Sequence, residues 1–178
     1  MKTILSVLSL VVSVSVASAQ SFIANLDGAQ DGGGTRTGSG VINLTLSGTT
    51  ATFSGTFSGL SGTVNSGGFH IHGPAPAGQS TGILYGTIFN SITLNPDSKS
   101  GTINGTLTLV AGQLGFDIPT QLNQLNSGLW YFNIHTSTFG GGEIRGQILP
   151  VPEPSTLGLI GLGLAGMIGL GIRRRFRA

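Results

Sequence analysis

The body of this 178-residue chain is predicted to be all-β: a sandwich or Greek-key barrel of about eight short strands with one short helix. Apolar and polar residues alternate over many short stretches, which is the period of strands with one buried face. Pairs rich in Gly, Ser and Asn recur between these stretches, where turns are needed. Long uncharged apolar runs stand at the two ends, so the body lies between two hydrophobic terminal segments.

The alternation places the strands in order along the chain. They cover residues 42–46, 53–57, 69–72, 83–89, 91–94, 102–109, 130–135 and 143–148. Turn signals separate them at Ser47-Gly48, Ser61-Gly62, Gly67-Gly68, Asn95-Pro96-Asp97 and Gly140-Gly141-Gly142. One stretch differs, because Ile118, Leu122 and Leu125 recur at helical spacing. A short helix is predicted there, with Pro119 near its start and Gly128 at its end.

Residues 1–19 are predicted to be a signal peptide. Lys2 supplies the positive start, an apolar run follows, and Ala17-Ser18-Ala19 is a cleavage site of the small-x-small type. A retained membrane anchor is the alternative, but the run is short for a bilayer span. The body is therefore predicted to comprise residues 20–150.

Residues 151–178 form a second terminal segment, which has three parts. Pro152-Glu153-Pro154 stops any strand that arrives from the body, because proline lacks the amide hydrogen. Residues 157–172 carry no charge, and as a helix they would span about 24 Å of a ~30 Å hydrocarbon core. The cluster Arg173-Arg174-Arg175 favours the cytoplasmic side, which leaves the body outside. These features predict a transmembrane segment that anchors the chain in the membrane.

Charge and composition exclude several functional classes. The body carries three basic residues against five acidic ones, so its net charge is −2 and we exclude a nucleic-acid partner. The chain has no cysteine, which excludes disulfides, thiolate metal sites and a cysteine nucleophile. It also has no Lys-Ser/Thr after its glycine runs, which excludes a phosphate-binding loop of that type. We therefore expect no enzyme activity.

The chain has three histidines, and the alternation brings two of them together. His70 and His72 alternate with the core-forming Phe69 and Ile71, so both rings lie on the outer face of one strand, with Cα atoms about 6.5–7 Å apart. The same parity puts His135 on the outer face of its own strand. It also puts Glu143 and Arg145 on the outer face of their own strand, because they alternate with the core-facing Ile144. If the three strands are neighbours, these side chains share one face.

Three interpretations of this cluster stay open. The first is a zinc or copper site made by His70, His72 and His135, with Glu143 as a further candidate ligand, because three imidazoles and one open position suit these metals. The second is a structural hydrogen-bond network that includes an ion pair between Glu143 and Arg145. The third is a polar surface that binds a carbohydrate or a protein.

The three-part C-terminal segment resembles the PEP-CTERM sorting signal of exopolysaccharide-producing Gram-negative bacteria. All three parts match in order over residues 151–178. The resemblance implies recognition by an exosortase-type membrane protease and cleavage near Pro152-Glu153-Pro154. It further implies transient anchoring in the membrane and delivery to the cell surface or matrix. The implied partners are exopolysaccharide and matrix or surface proteins.

The body resembles the CHRD domain over about residues 21–149. Three motifs carry the resemblance: Phe69-His70-Ile71-His72-Gly73-Pro74-Ala75, Gly128-Leu129-Trp130-Tyr131-Phe132-Asn133-Ile134-His135-Thr136 and Gly142-Glu143-Ile144-Arg145-Gly146-Gln147. Asp31-Gly32-Gly33-Gly34 departs from the family, whose members often have Glu-Val-Pro-Pro there, and so we expect a looser loop. The resemblance implies an immunoglobulin-like sandwich in an extracellular setting and no established reaction. The function expected is an exported non-enzymatic module, and the alternative is a metal-binding module.

Overall fold

Ten strands and one helix make up residues 19–86 and 92–152, the part of the chain that the computed structural model describes. The strands are β1 (Gln20–Asp27), β2 (Ser39–Ser47), β3 (Thr50–Ser58), β4 (Val64–His72), β5 (Ile83–Tyr85), β6 (Ile92–Leu94), β7 (Gly101–Thr108), β8 (Tyr131–Thr136), β9 (Ile144–Gln147) and β10 (Leu149–Pro150), and the helix α1 is Ile118–Asn126. The predicted all-β class with one short helix is confirmed. The predicted strands over 83–89 and 91–94 are found at Ile83–Tyr85 and Ile92–Leu94, and residues 87–91 lie outside the described ranges.

The strands pair antiparallel in the order β5-β4-β8-β9-β1-β2-β3-β7-β6, and β10 pairs with β1. This sheet curls strongly. The ring of Phe53 on β3 lies 6.3 Å from Phe69 on β4, although five strand-to-strand steps separate them. In a flat sheet with ~4.8 Å between strands the two would be about 24 Å apart. The two halves of the sheet therefore face each other across one core, as in a sandwich or barrel.

Aromatic side chains fill the space between the two halves. Phe69 and Phe132 stack at 5.5 Å, and Phe53 leans on Phe132 at 5.9 Å. All three are at most 1% exposed, and each contributes roughly 1.5–3 kcal/mol by leaving water. The predicted inward positions of Phe69 and Ile71 are confirmed, since both are fully buried. It follows that the intervening histidines point away from the core.

The helix α1 begins and ends where the sequence predicts. Asp117 is its N-cap and accepts a hydrogen bond of 2.9 Å from the amide of Thr120. Gly128 has a φ of 66°, which closes the helix in the left-handed conformation. The buried face is more polar than the apolar spacing suggests. Gln121 and Gln124 are buried, and they bind the hydroxyl of Tyr85 and the indole nitrogen of Trp130.

The Gly67-Gly68 pair is not the turn that the sequence predicts. Both residues lie inside β4, where the register with β8 shifts between Val64 and Phe69. Gly67 has a φ of 68°, which an extra residue in a bulged strand often requires. The bulge carries β4 onward to the histidines without reversing the chain.

The outer surface of the sheet has two contrasting parts. On β2, β3 and β7, exposed residues alternate with buried or half-buried ones, so the outer side chains face solvent. We call the fourteen exposed outward side chains there and on β6 the hydroxyl face: Ser39, Val41, Asn43, Thr45, Ser47, Thr52, Ser54, Thr56, Ser58, Thr93, Thr102, Asn104, Thr106 and Thr108. On β8 and β9, by contrast, almost every residue is buried on both faces. Loops cover this second part, which contains His135 and borders the strand β4 with His70 and His72.

Within the described ranges, no helix is both long enough and apolar enough to cross a membrane. The predicted signal peptide, except for Ala19, lies outside the described residues. So does the predicted transmembrane segment at 157–172.

Candidate metal centre

The strands β4 and β8 are neighbours, and their pairing brings the three histidines together. His72 is opposite Tyr131, and His70 is opposite Asn133, two residues before His135. The His70 ring lies 4.9 Å from that of His135, and the other two ring pairs are 5.6 Å apart. One ring nitrogen from each histidine lies within 4.8 Å of the other two. The neighbouring strands that the sequence interpretation had to assume are therefore present.

Backbone carbonyls fix two of the three rings. The Nδ1 of His72 lies 3.0 Å from the carbonyl oxygen of Thr81, and the Nδ1 of His135 lies 2.9 Å from that of Gly140. A carbonyl can only accept, so each Nδ1 carries a hydrogen and each neutral ring keeps its lone pair on Nε2. Those two Nε2 atoms face each other at 3.4 Å. Two lone pairs this close repel each other unless a proton or a cation lies between them.

The spacing of the two Nε2 atoms suits a tetrahedral metal ion. Two imidazole nitrogens bound to one zinc at ~2.05 Å lie about 3.3 Å apart. The observed 3.4 Å between His72 and His135 agrees with this value. His70 would supply a third nitrogen after a shift on the order of 1 Å, since its distance to the other two is at most 4.8 Å. The three residues that would hold such an ion are therefore His70, His72 and His135, each through one ring nitrogen.

Burial and the neighbouring imidazoles favour the neutral forms of His70 and His72 by lowering their pKa values. Burial, with smaller contributions from His135 and His72, lowers the pKa of His70 from 6.5 to about 4. Burial also lowers the pKa of His72, although the hydrogen bond to Thr81 partly opposes it. A neutral imidazole is the form that binds a metal. The Nδ1 of His70 is buried without a hydrogen-bond partner, which is an unusual state for a polar atom.

Tyr131 and Arg145 pack beside the three histidines. The Tyr131 ring stacks on the His72 ring at 5.0 Å, and the guanidinium carbon of Arg145 lies 4.6 Å from the centroid of the Tyr131 ring. Arg145 donates to the hydroxyl of Ser80 and to the carbonyl of Gln79, which holds the 73–82 loop over the strands. The ring of His72 is therefore held by the Tyr131 ring on one face and by the Thr81 carbonyl at its Nδ1.

The glycine-rich loop after β1 contacts Arg145 as well. Asp31 lies 3.9 Å from Arg145, and its side chain is 9% exposed. Burial raises the pKa of Asp31, while Arg145 and Arg36 oppose that rise. Asp31 Oδ2, Asn133 Oδ1 and Arg145 Nε are buried without partners. The loop that the sequence expects to be loose thus places a carboxylate beside the candidate site.

The predicted ion pair between Glu143 and Arg145 is wrong. Glu143 directly precedes β9, and its carboxylate accepts hydrogen bonds of 2.5 and 2.7 Å from the amide and hydroxyl of Ser61. It also accepts bonds of 3.2 Å from the amide of Gly62 and 2.6 Å from the hydroxyl of Thr136. These bonds outweigh the effect of burial and lower the pKa of Glu143. Arg145 pairs with Asp31 instead.

Glu143 also lies apart from the group of possible metal ligands. That group contains the three histidines and not Glu143, whose oxygens are held by the turn after β3. Sequence parity could place Glu143 on the outer side, but it could not show which turn would approach it. Asp31 was missed for a similar reason, because its position depends on a glycine loop that returns over the sheet.

Only Pro152 of the predicted sorting residues belongs to the described part of the chain, and it is exposed after β10. Glu153, Pro154, Arg173, Arg174 and Arg175 lie outside it.

Comparisons with known proteins agree with the two resemblances. The family model described as CHRD domain matches residues 22–148, and the model described as PEP-CTERM protein-sorting motif matches residues 150–175. Searches of curated proteins and of solved structures found no match. The sorting motif marks an exported protein that an exosortase, a membrane protease, recognises and sorts to the cell surface.

Proposed function

The chain belongs to the CHRD domain family, and on that basis we propose that it carries a non-enzymatic, metal-binding β module to the cell surface. The observation that supports metal binding best is the 3.4 Å approach of the Nε2 atoms of His72 and His135. Each ring is held by a carbonyl at its other nitrogen, so the two lone pairs point at each other before any ligand arrives. His70 completes a set of three.

The donor set favours zinc or divalent copper. Imidazole nitrogen suits both ions, whereas magnesium and calcium prefer oxygen ligands. Copper(I) and iron–sulfur clusters prefer thiolates, and this chain has no cysteine. The carbonyls of Thr81 and Gly140 fix the tautomer and the orientation of the two rings, as partners of metal-bound histidines commonly do.

Binding without turnover is supported by the state of the side chains around the cluster. Glu143 is occupied by four hydrogen bonds, and Arg145 by Ser80, Gln79 and Asp31. The Tyr131 hydroxyl contacts both backbone groups of Thr81. These groups are engaged in holding loops, which leaves them poorly placed for proton transfer to a substrate on the metal.

The proposal also covers how the module reaches its destination. Residues 157–172 would hold the chain in the membrane until the exosortase cleaves near Pro152, after which the β module is released to the surface or matrix. The partners proposed there are matrix polymers and surface proteins. Fractionation of cells that make the full chain or its Glu153→Ala variant tests this step. We expect the variant to accumulate in the membrane fraction, and equal release of both would contradict the proposal.

The metal proposal is tested on the full chain purified in mild detergent. We expect about one zinc or copper per chain, and cobalt(II) added in its place should give the visible absorption of a tetrahedral site. At 100 times the dissociation constant the ion adds about 2.7 kcal/mol of stability, a rise in Tm on the order of 10 °C. The variant His72→Ala should lose both the metal and the Tm rise.

Glu143→Gln is the matched control, because it weakens the fold without touching an imidazole. We expect it to keep the metal below its lowered Tm. Loss of metal in a folded Glu143→Gln protein would indicate that Glu143 is a metal ligand after all. Absence of bound metal, with a His72→Ala variant that merely melts earlier, would leave the histidines as a structural network.

A further inference from the structure

The hydroxyl face is a regular array of uncharged hydrogen-bonding groups. Thirteen of its fourteen side chains are Ser, Thr or Asn, and Val41 is the other. Strand register aligns them in rows: Thr45 is opposite Thr52, which is opposite Thr106, and Asn43, Ser54 and Asn104 form the next row. Rows of this kind repeat about every 6.7 Å along a strand and ~4.8 Å between strands.

The absence of charge on this face is unusual for a solvent-exposed sheet. Roughly a quarter to a third of an ordinary soluble surface is charged. The charged residues of β1 and of the β6–β7 turn, such as Asp27 and Lys99, lie at the border of the face and not within it. A polyanion or a strongly charged protein would find no complementary charge here.

We infer that the hydroxyl face binds an uncharged polysaccharide. Hydroxyl and amide groups both donate and accept hydrogen bonds, so they match sugar hydroxyls in either role. Short Ser, Thr and Asn side chains also lose little conformational entropy when a ligand fixes them. The inference deepens the proposed display of this module at the cell surface and rests on it, but it does not depend on metal binding.

The shape of the face favours an extended polymer over a small molecule. The depression between β2 and β3 has a volume of ≈ 220 Å³, with Val41, Thr56 and Ser58 among its lining residues. Pockets for small molecules are commonly ~300–1,000 Å³. A chain of sugars can cross several rows at once and so add many weak contacts.

A second copy of this chain is a poorer occupant. Stable protein interfaces have an apolar core with aromatic side chains, and this face offers Val41 alone. A partner protein would meet the same difficulty. The polysaccharide needs no apolar core, because each of its contacts can be a hydrogen bond.

Affinity electrophoresis of the full chain tests the inference, with gels that contain dextran, a soluble β-glucan or a galactomannan. We expect at least one of these neutral polymers to retard the protein equally from about 0.05 to 0.5 M salt, since no ion pair is involved. The triple variant Thr45→Val, Thr52→Val, Thr106→Val removes three hydroxyls in one row. Its binding should be weaker by at least about tenfold, because three hydrogen-bonding groups are lost.

The matched control is Thr35→Val with Thr138→Val, two exposed threonines in loops away from the face. It should bind as the natural chain does. No retardation by any of the three neutral polymers would overturn the inference. So would equal binding by the triple variant, or retardation by alginate alone that salt removes.

Two further measurements separate the causes of a failure. Sedimentation of the natural chain and the triple variant detects self-association, and a dimer lost in the variant without polysaccharide binding would assign the face to a second copy. Metal content and surface fractionation are measured on the same preparations. A triple variant that keeps its metal and its location but loses retardation supports the inference alone, whereas loss of metal in His72→Ala leaves it unaffected.

Discussion

The two outer parts of the sheet differ in how their polar residues are held. On the hydroxyl face the side chains are exposed to water and similar to one another, and none of them depends on a particular neighbouring residue. Around the histidines most polar groups lie under the 28–36, 73–82 and 137–142 loops and have a particular partner, such as Thr81 for His72 or Ser61 for Glu143, while four buried polar atoms have none. Buried polar groups cost free energy when a partner is lost, whereas exposed ones exchange it for water. One part of the surface is therefore sensitive to single changes and the other is tolerant.

Gly142→Ala should give the largest effect, because it puts a methyl group into the buried polar part. A Cβ at this position would lie 1.9 Å from Asp31 Oδ2 and 2.6 Å from Asn133 Oδ1, and the φ of 129° also disfavours a side chain. We expect a loss of about 3 kcal/mol or more in the free energy of unfolding. Gly141→Ala is the control, since a Cβ there meets nothing within 4 Å. Denaturant unfolding of the two variants measures the difference, and equal stabilities would show that the loop adjusts freely.

Glu143→Gln tests the same sensitivity through hydrogen bonds alone. The amide of glutamine presents an NH₂ group where Ser61, Gly62 or Thr136 donates, so at least one buried donor loses its acceptor. We expect a loss of about 2–3 kcal/mol. On the hydroxyl face, Ser54→Ala should change the stability by less than about 0.5 kcal/mol. Comparable losses at the two positions would remove the contrast between the two parts.

The metal-free protein should lose stability as the pH falls from 6.5 towards 4. His70 binds a proton near pH 6.5 in the unfolded chain but only near pH 4 in the folded one, so the unfolded state takes up more protons in this window. The pKa of Glu143 is lowered, so its contribution is fully present above about 4.5 and is lost only below that value. Thermal melts at several pH values in a chelator measure the slope. His70→Asn should have a shallower slope between pH 6.5 and 4.5, and an unchanged slope would assign the effect elsewhere.

The same contrast explains how far the sequence predicts this protein. Strict alternation, as in β2 and β7, is a local signal, and it correctly placed the buried faces and the outward histidines. Partner choice is not local. Glu143 binds a turn some eighty residues earlier, and Asp31 reaches Arg145 through a loop of three glycines with positive φ, so neither contact leaves a periodic trace. The bulge at Gly67 resembles a turn in sequence because both need the same glycine conformation.

The sequence alone does not single out the hydroxyl face, since alternating threonines are ordinary on the solvent side of a strand. Its significance depends on register, which aligns residues of the β2–β3 pair with residues of the β6–β7 pair some forty residues later in the chain. Parity assigns each residue a face but does not tell which residues on neighbouring strands are opposite each other. The rows emerge only when the pairing is known.

The smallest expected effect is that of Val41→Thr on the hydroxyl face, the part of the surface that should tolerate single changes. Val41 is 41% exposed and is aligned with Thr56, which is followed in the same row by Thr102 and Thr93. Threonine has the same β-branched shape and strand preference, so the stability should change by less than about 0.5 kcal/mol. The added hydroxyl completes the row, and retardation by a neutral polysaccharide should be equal or stronger. If the valine contributes an apolar contact to a partner, retardation would fall instead, and the face would recognise its ligand through Val41 and not through its hydroxyls.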